Sequence, residues 1–424
     1  MSMAVLSLIA FVAVIVLAFF RKNNIGVLAI GIGVIAIRYF GITDKEFYSS
    51  ISISLFTTLT GITLLFSIIT NTGALDLLAR KIVALAGKRI WLIPVLVYMA
   101  GFTIVAVGPG GVPALAIVPP LAVAIAYEVG YNPLMLALIG ISGMTSGRFS
   151  PITPESQIIR TAVENAGYTG NVVAPIWVNV ILTNLILAVV IFVFFKGYKV
   201  KASDNVGNMG SEKFTVKQLV ALAAIVALLI LIIGFDVNIG CAAYLVAAIL
   251  LVFHIADDGP CIKAMPWSTI IMVLGVGALL SVVNTMGGID LISNALSSIM
   301  NTSTCAAVMG LSAGALSLVS SALGVVYPTM MPMCIDVAEQ LGNIDPAGMM
   351  SAVAAAGALS GISPMSTGGA LIIAAIAGDK SSNLTKEDEN KYFVQLLIIA
   401  SLSLILLLLV AMIFYNPITS LFAG

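Results

Sequence analysis

The chain has 424 residues, of which 60% are hydrophobic and 9% charged, and its mean hydropathy is +1.13. A soluble domain carries about a quarter charged residues, so this composition excludes a soluble enzyme or binding module. It fits a polytopic membrane protein with room for roughly ten spans of ~20 residues each. The formal net charge is zero, which leaves no bulk electrostatic case for a nucleic-acid partner.

In chain order, residues 3–20 form an apolar first span. Arg21 and Lys22 follow this stretch rather than precede it, so it is expected to be a retained helix that starts outside, not a signal peptide. Residues 25–40 and 50–70 give the second and third spans. Residues 74–88 set apolar side chains at helical spacing among Arg80, Lys81 and Lys88, as in an amphipathic arm lying in the membrane interface. Residues 90–127 are apolar but cut by GPGGVP at 108–113. Each half is too short to span, so this is expected to be a re-entrant hairpin with its tip at Gly108 to Gly111. Residues 132–166 make a fourth span and 172–195 a fifth.

The fourth span contains GMTSGRFSPITPESQIIRT, residues 143–161. Pro151 and Pro154 each remove a backbone donor, so the helix is expected to break there. Broken helix at membrane depth is tolerated only where it is buried in protein or lines a cavity. The break recurs as GALSGISPMSTGGALII, residues 357–373, and an offset of 213 residues relates Ser150-Pro151 to Ser363-Pro364. The same offset relates Asn71-Thr72 to Asn284-Thr285, Gly101 to Gly314, Gly111-Val112 to Gly324-Val325, Pro119 to Pro332 and Pro133 to Pro346. Two broken apolar segments at matching places in two halves point to a transporter binding site.

The expected fold is therefore an all-α polytopic membrane protein of two inverted repeats, each with five transmembrane helices, one of them broken, plus a re-entrant hairpin. Repeat one is 1–195, with its hairpin at 90–127 and broken helix at 132–166. A polar cytoplasmic linker covers 196–215. Repeat two is 216–424, with spans at 219–233, 239–253 and 267–283 and an interfacial arm at 289–300. Its hairpin is 304–340, with a tip near Ser320, Ser321 and Gly324, its broken helix 346–376, and its last helix 392–415. Five crossings make the second half enter from the opposite face. Arg21, Lys22, Arg80, Lys81, Lys88, Arg89 and the lysines from Lys196 onward then fall on one side, and only Arg38, Lys45 and Arg160 on the other. The first side is expected to be cytoplasmic, with both termini outside.

Arg148 is the charge left inside the membrane, where insertion scales put its cost at about 2.5–3.5 kcal/mol. It needs an anionic partner, either a substrate carboxylate gripped bidentately or Glu155 across the break; a third possibility is a position at the membrane edge. Hydroxyls cluster at both breaks: Thr145, Ser146, Ser150, Thr153 and Ser156, then Ser360, Ser363, Ser366 and Thr367. With the orphan groups of broken helices they suit an anion and Na⁺. The plainer alternative is that they satisfy freed backbone groups. The four cysteines, Cys241, Cys261, Cys305 and Cys334, are scattered, and His254 is the single histidine. A metal centre, a catalytic triad and a nucleotide-binding GxxxxGK[ST] loop are not expected.

The two hairpins, the two breaks (SPITPES and SPMSTGG) and the tips (GPGG and SSALG) resemble the ion transporter superfamily. Within it the chain looks like the divalent anion/sodium symporter family and, more closely, the malonate-carrier-type dicarboxylate permeases. The symporter family carries Ser-Asn-Thr at each tip. Here tip one is Gly108-Pro109-Gly110-Gly111, and tip two keeps only Ser320 and Ser321. The resemblance implies a homodimeric, elevator-type secondary transporter in the inner or plasma membrane that moves a small dicarboxylate, malonate or a C4 acid, with Na⁺ and without a cofactor. Carried onto these positions, substrate would meet Arg148, Gly110, Gly111, Ser150, Pro151, Thr153, Ser320, Ser321, Ser363, Pro364, Ser366 and Thr367. Na⁺ would sit near Gly108, Ser142, Ser146, Ser320 and Ser360. The alternatives are a Na⁺/H⁺ antiporter or an H⁺-coupled organic anion transporter, for which Glu155 is the available carboxylate, and a membrane enzyme, which would lack a histidine or acidic pair at depth.

Overall fold

The computed structural model describes residues 2–21, 23–87, 89–200, 212–342, 344–364, 366–378 and 386–422. Among these, all regular structure is helical. The first half contains α1 (Met3–Arg21), α2 (Ile25–Phe40), α3 (Asp44–Ser49), α4 (Ile53–Asn71), α5 (Ala74–Ala84), α6 (Ile93–Ala106), α7 (Gly111–Ala114), α8 (Val118–Val129), α9 (Pro133–Gly147), α10 (Pro154–Asn165) and α11 (Val173–Phe194). The second contains α12 (Val216–Phe235), α13 (Ile239–Val252), α14 (Asp258–Ala264), α15 (Trp267–Thr285), α16 (Gly288–Ser297), α17 (Cys305–Val319), α18 (Tyr327–Gln340), α19 (Ala347–Leu359), α20 (Thr367–Gly378), α21 (Lys386–Val410) and α22 (Asn416–Thr419). Among the described residues, six helices are long and apolar enough to cross a membrane, and eight shorter apolar ones accompany them; one of the six is Gly111–Val129, so the second half of the expected hairpin is longer than the sequence suggested. The chain is an integral multi-pass membrane protein.

Local signals set most boundaries. Asn24 caps α2 by accepting from the Gly26 and Val27 N–H groups, and Asn132 caps α9 through the Met135 N–H. Pro133 and Pro154 fall in the first turns of α9 and α10, where a missing donor costs nothing. Two short helices, α3 and α14, are additions to the sequence reading. The first is held by a reciprocal capping box between Thr43 and Glu46. Of the four cysteines, three are buried as ordinary core residues and Cys241 is exposed.

The halves interlock through glycine. Helix α2 packs on α15, and α4 packs on α13. A Cβ at Gly26 would overlap the carbonyl oxygen of Ile271, and one at Gly275 would overlap that of Gly26. At the second crossing, a Cβ on Gly61 would lie 2.5 Å from the Gly240 oxygen, and one on Gly240 2.7 Å from the Thr58 Cα. Small residues let membrane helices approach backbone to backbone. Gly275→Leu is therefore expected to lower the yield and thermal stability of detergent-extracted protein sharply. Gly277→Leu, where a Cβ meets nothing within 4 Å, is expected to match the parent. Equal melting of the two variants would refute the crossing's importance.

Elsewhere α6 packs along α9 and α17 along α19, while α10 contacts α18 and α20 contacts α8. These contacts bring both breaks and both hairpin tips into one region.

Candidate functional site

The two breaks share one local design. At the first, the Thr153 hydroxyl donates toward the Arg148 and Ser150 carbonyls at 2.7 and 2.8 Å, and it accepts from the Ser156 N–H at 3.4 Å. At the second, the Ser366 hydroxyl meets the Gly361 and Ser363 carbonyls at 2.7 Å each, and it accepts from the Gly369 N–H at 3.4 Å. One hydroxyl thus satisfies carbonyls freed at the end of one half-helix and caps the start of the next. Both breaks are held from within by one hydroxyl each.

Tip one is built for close approach. Gly108 and Gly110 have φ of 128° and 78°, open to glycine and strained for other residues. The turn presents the Gly111 N–H to the Glu155 carboxylate, whose Oε1 accepts it at 2.8 Å. The same oxygen accepts from Arg148 Nε at 3.1 Å. The Arg148–Glu155 pair, one of the alternatives above, is therefore formed. Glu155 is almost wholly buried, and Arg148 keeps 18% of its side chain exposed. At tip two, Ser321 Oγ accepts from the Gly324 N–H at 3.2 Å, and the Ser320 hydroxyl donates to the Leu316 carbonyl at 2.6 Å.

A cavity of about 730 Å³ lies between these parts. Its walls include Arg148, Gly111, Thr145, Ser320, Ser321, Ser363 and Ser366, so seven of the positions singled out in the sequence converge. The lining does not include Gly108, Gly110, Ser142, Ser146, Ser150, Pro151, Thr153 or Pro364. Ser142 donates back to Leu138, Ser146 pairs with the Tyr98 hydroxyl, and Ser150 donates to the Ala106 carbonyl in the hairpin. Pro151 is exposed elsewhere. The side chains of Ser360 and Thr367 lie outside the described residues. The cavity is also lined by Asn23, Thr269 and Ser317, which the sequence reading missed. Ser317 lies one turn before Ser320 on α17, so helical spacing from the tip could have found it. Asn23, just before α2, and Thr269, on α15, come from other segments, and no local pattern marks them.

At 730 Å³ the cavity is within the size of small-molecule sites, and among the described residues its lining contains one charged side chain, Arg148. The sequence model for the citrate transporter family matches residues 15–354. The chain belongs to the citrate transporter family. It is accordingly a membrane transporter, not an enzyme. Comparison with curated proteins finds no match. Among solved structures, the transporter is similar to MtrF of Neisseria gonorrhoeae, described as illuminating a class of antimetabolite efflux pumps. The TM-score is 0.62 and the identity 14%, over 90% of this chain and 84% of that one. It is also similar to the YdaH transporter of Alcanivorax borkumensis, at TM-score 0.62 and 12% identity, over 91% of this chain and 89% of that one. At these identities the likeness concerns the fold.

Proposed function

We propose that this protein is a secondary active transporter that moves a small di- or tricarboxylate, of the malonate, C4-acid or citrate type, together with Na⁺. The observation that carries this reading is the Arg148 guanidinium facing a cavity shared by both breaks and both tips. Only its Nε is engaged by Glu155, and among the described residues its terminal nitrogens donate to no protein acceptor. A guanidinium edge of that kind suits a carboxylate.

Charge balance supports cation coupling. Arg148 is compensated by Glu155, so the site is close to neutral before substrate arrives. A di- or tricarboxylate brings charge that a low-dielectric site holds only with accompanying cations. The uncharged half of the cavity, with Ser320, Ser321 and Ser363, offers oxygen ligands of the kind Na⁺ takes.

The architecture we propose has inverted repeats at 1–195 and 216–424, a cytoplasmic linker at 196–215, re-entrant hairpins at 90–127 and 304–340, both termini outside, and an elevator-type movement in a homodimer. The shared break design at Thr153 and Ser366 and the paired glycine crossings support the repeat. The cavity walls include Ala18, Asn23 and Ile25, next to Arg21 on the face assigned to the cytoplasm, which supports an inward-open state.

Proteoliposome uptake of labelled malonate, succinate and citrate, with an imposed Na⁺ or pH gradient, tests the reading. Saturable uptake of a carboxylate driven by the Na⁺ gradient is expected. Uptake driven only by the pH gradient would move the coupling to H⁺, and no carboxylate uptake under either gradient would end the proposal.

A further inference from the structure

Glu155 sits behind the cavity wall. Arg148 and Gly111 line the cavity and Glu155 does not, and 2% of its side chain is exposed. Its Oε1 receives both the Gly111 N–H and Arg148 Nε. Its Oε2 is buried without a hydrogen-bond partner and is wedged against Gly110, where a Cβ would lie 2.7 Å away. One carboxylate therefore ties together the end of α9, the start of α10 and the first hairpin tip. It takes the Nε side of the guanidinium and leaves the terminal edge free.

We propose that Glu155 is a positioning and affinity-setting residue for the transported anion. From behind the wall it aims the terminal edge of Arg148 into the cavity and holds the hairpin tip in register. It also weakens Arg148's attraction for a bound carboxylate, so that the anion can leave. This rests on the reading of Arg148 as the anion contact. The physical argument is that an uncompensated guanidinium in a poorly solvated site attracts a carboxylate far more strongly than one already paired. A transporter must bind and also release. The two contributions of Glu155, hydrogen-bond geometry and charge, are separable: Glu155→Gln keeps an acceptor for both donors and removes the charge, whereas Glu155→Ala removes both.

The experiment reads geometry and affinity independently. Val112, beside the tip and 47% exposed, is changed to cysteine in a background with the exposed Cys241 replaced by serine. Its labelling by a small methanethiosulfonate reagent is timed in membranes without substrate. Glu155→Gln is expected to label at the parental rate and Glu155→Ala at least threefold faster. Glu155→Asp, charged but one methylene shorter, loses its reach to Gly111 and is expected to label like the alanine variant; it decides the geometric point if Glu155→Gln fails to reach the membrane. In carboxylate uptake, Glu155→Gln is expected to lower KM and the maximal rate at least threefold each, and Glu155→Ala to raise KM at least tenfold. Equal labelling in all backgrounds, or KM moving the same way in Gln and Ala, overturns the proposal. A parent that takes up no carboxylate refutes the anion reading instead, and the labelling series still decides whether Glu155 holds the tip.

Discussion

Arg148→Lys is expected to reach the membrane folded and to lose carboxylate transport. Lysine keeps the positive charge, so Glu155 does not become a buried lone anion. It cannot keep the geometry. Arg148 donates through Nε to Glu155 at 3.1 Å and also lines the cavity; in the proposed role its far edge meets the anion, and a single ammonium cannot serve both directions at once. Hydrogen bonds to charged groups contribute about 1.5–3 kcal/mol each. Loss of one or two at the anion predicts a rise in KM of roughly ten- to a hundredfold or more, at about 1.4 kcal/mol per tenfold.

Arg148→Ala is expected to behave worse and differently. It strands Glu155 in a buried position, and breaking a buried ion pair costs about 3–5 kcal/mol, enough to lower the yield of folded protein. Arg148→Met with Glu155→Gln removes both charges at similar volume and is expected to restore melting while remaining inactive. Uptake kinetics and thermal unfolding of the three variants separate anion contact from folding. An unchanged KM in Arg148→Lys would defeat the assigned role.

Gly143→Leu is the second large effect expected: loss of folded protein. The seam between α6 and α9 runs backbone against backbone. A Cβ at Gly143 would overlap the Tyr98 carbonyl oxygen, one at Gly101 that of Gly140, and one at Gly147 that of Phe102. Gly143 and Gly147 are four apart, on one face of α9. No rotamer relieves a clash between a Cβ and a backbone carbonyl, so the helices must separate. Overpacking costs about 1–3 kcal/mol in cores that can adjust, occasionally more, and even Gly143→Ala is expected to lower the melting temperature clearly. Because the seam ends at Gly147, beside Arg148, the alanine variant should also raise KM. Gly31→Leu, where a Cβ meets nothing within 4 Å, is the control. Melting of Gly143→Leu at the level of Gly31→Leu would show that the seam is not needed.

The sequence made the breaks legible because breaking is local chemistry. Pro151, Pro154 and Pro364, with Thr153 and Ser366 beside them, act on their own turns of helix. Tip one was equally legible, since GPGGVP cannot continue a helix. The Asp44–Ser49 and Asp258–Ala264 helices were missed because six or seven residues are too short for a periodic pattern to stand out. The convergence of Arg148, Ser320 and Ser363 on one cavity is what the proposed repeat leads to, but Asn23 and Thr269 reach it only through tertiary packing of distant segments. The partner of the Gly111 N–H was also beyond local reasoning. The chain supplies a carboxylate of its own there, from Glu155.

The glycine crossings bear on how the protein is made. Helix α2 finds its close-packed partner in α15, and α4 in α13, so the seats at Gly26 and Gly61 stay empty while the ribosome is still producing the later half. The early product must wait in the lipid as an unfinished assembly, like one hand held open for the other to clasp. It follows that a chain severed between Val200 and Glu212 should regain its shape when both pieces are synthesised together, and that neither piece should persist when made by itself.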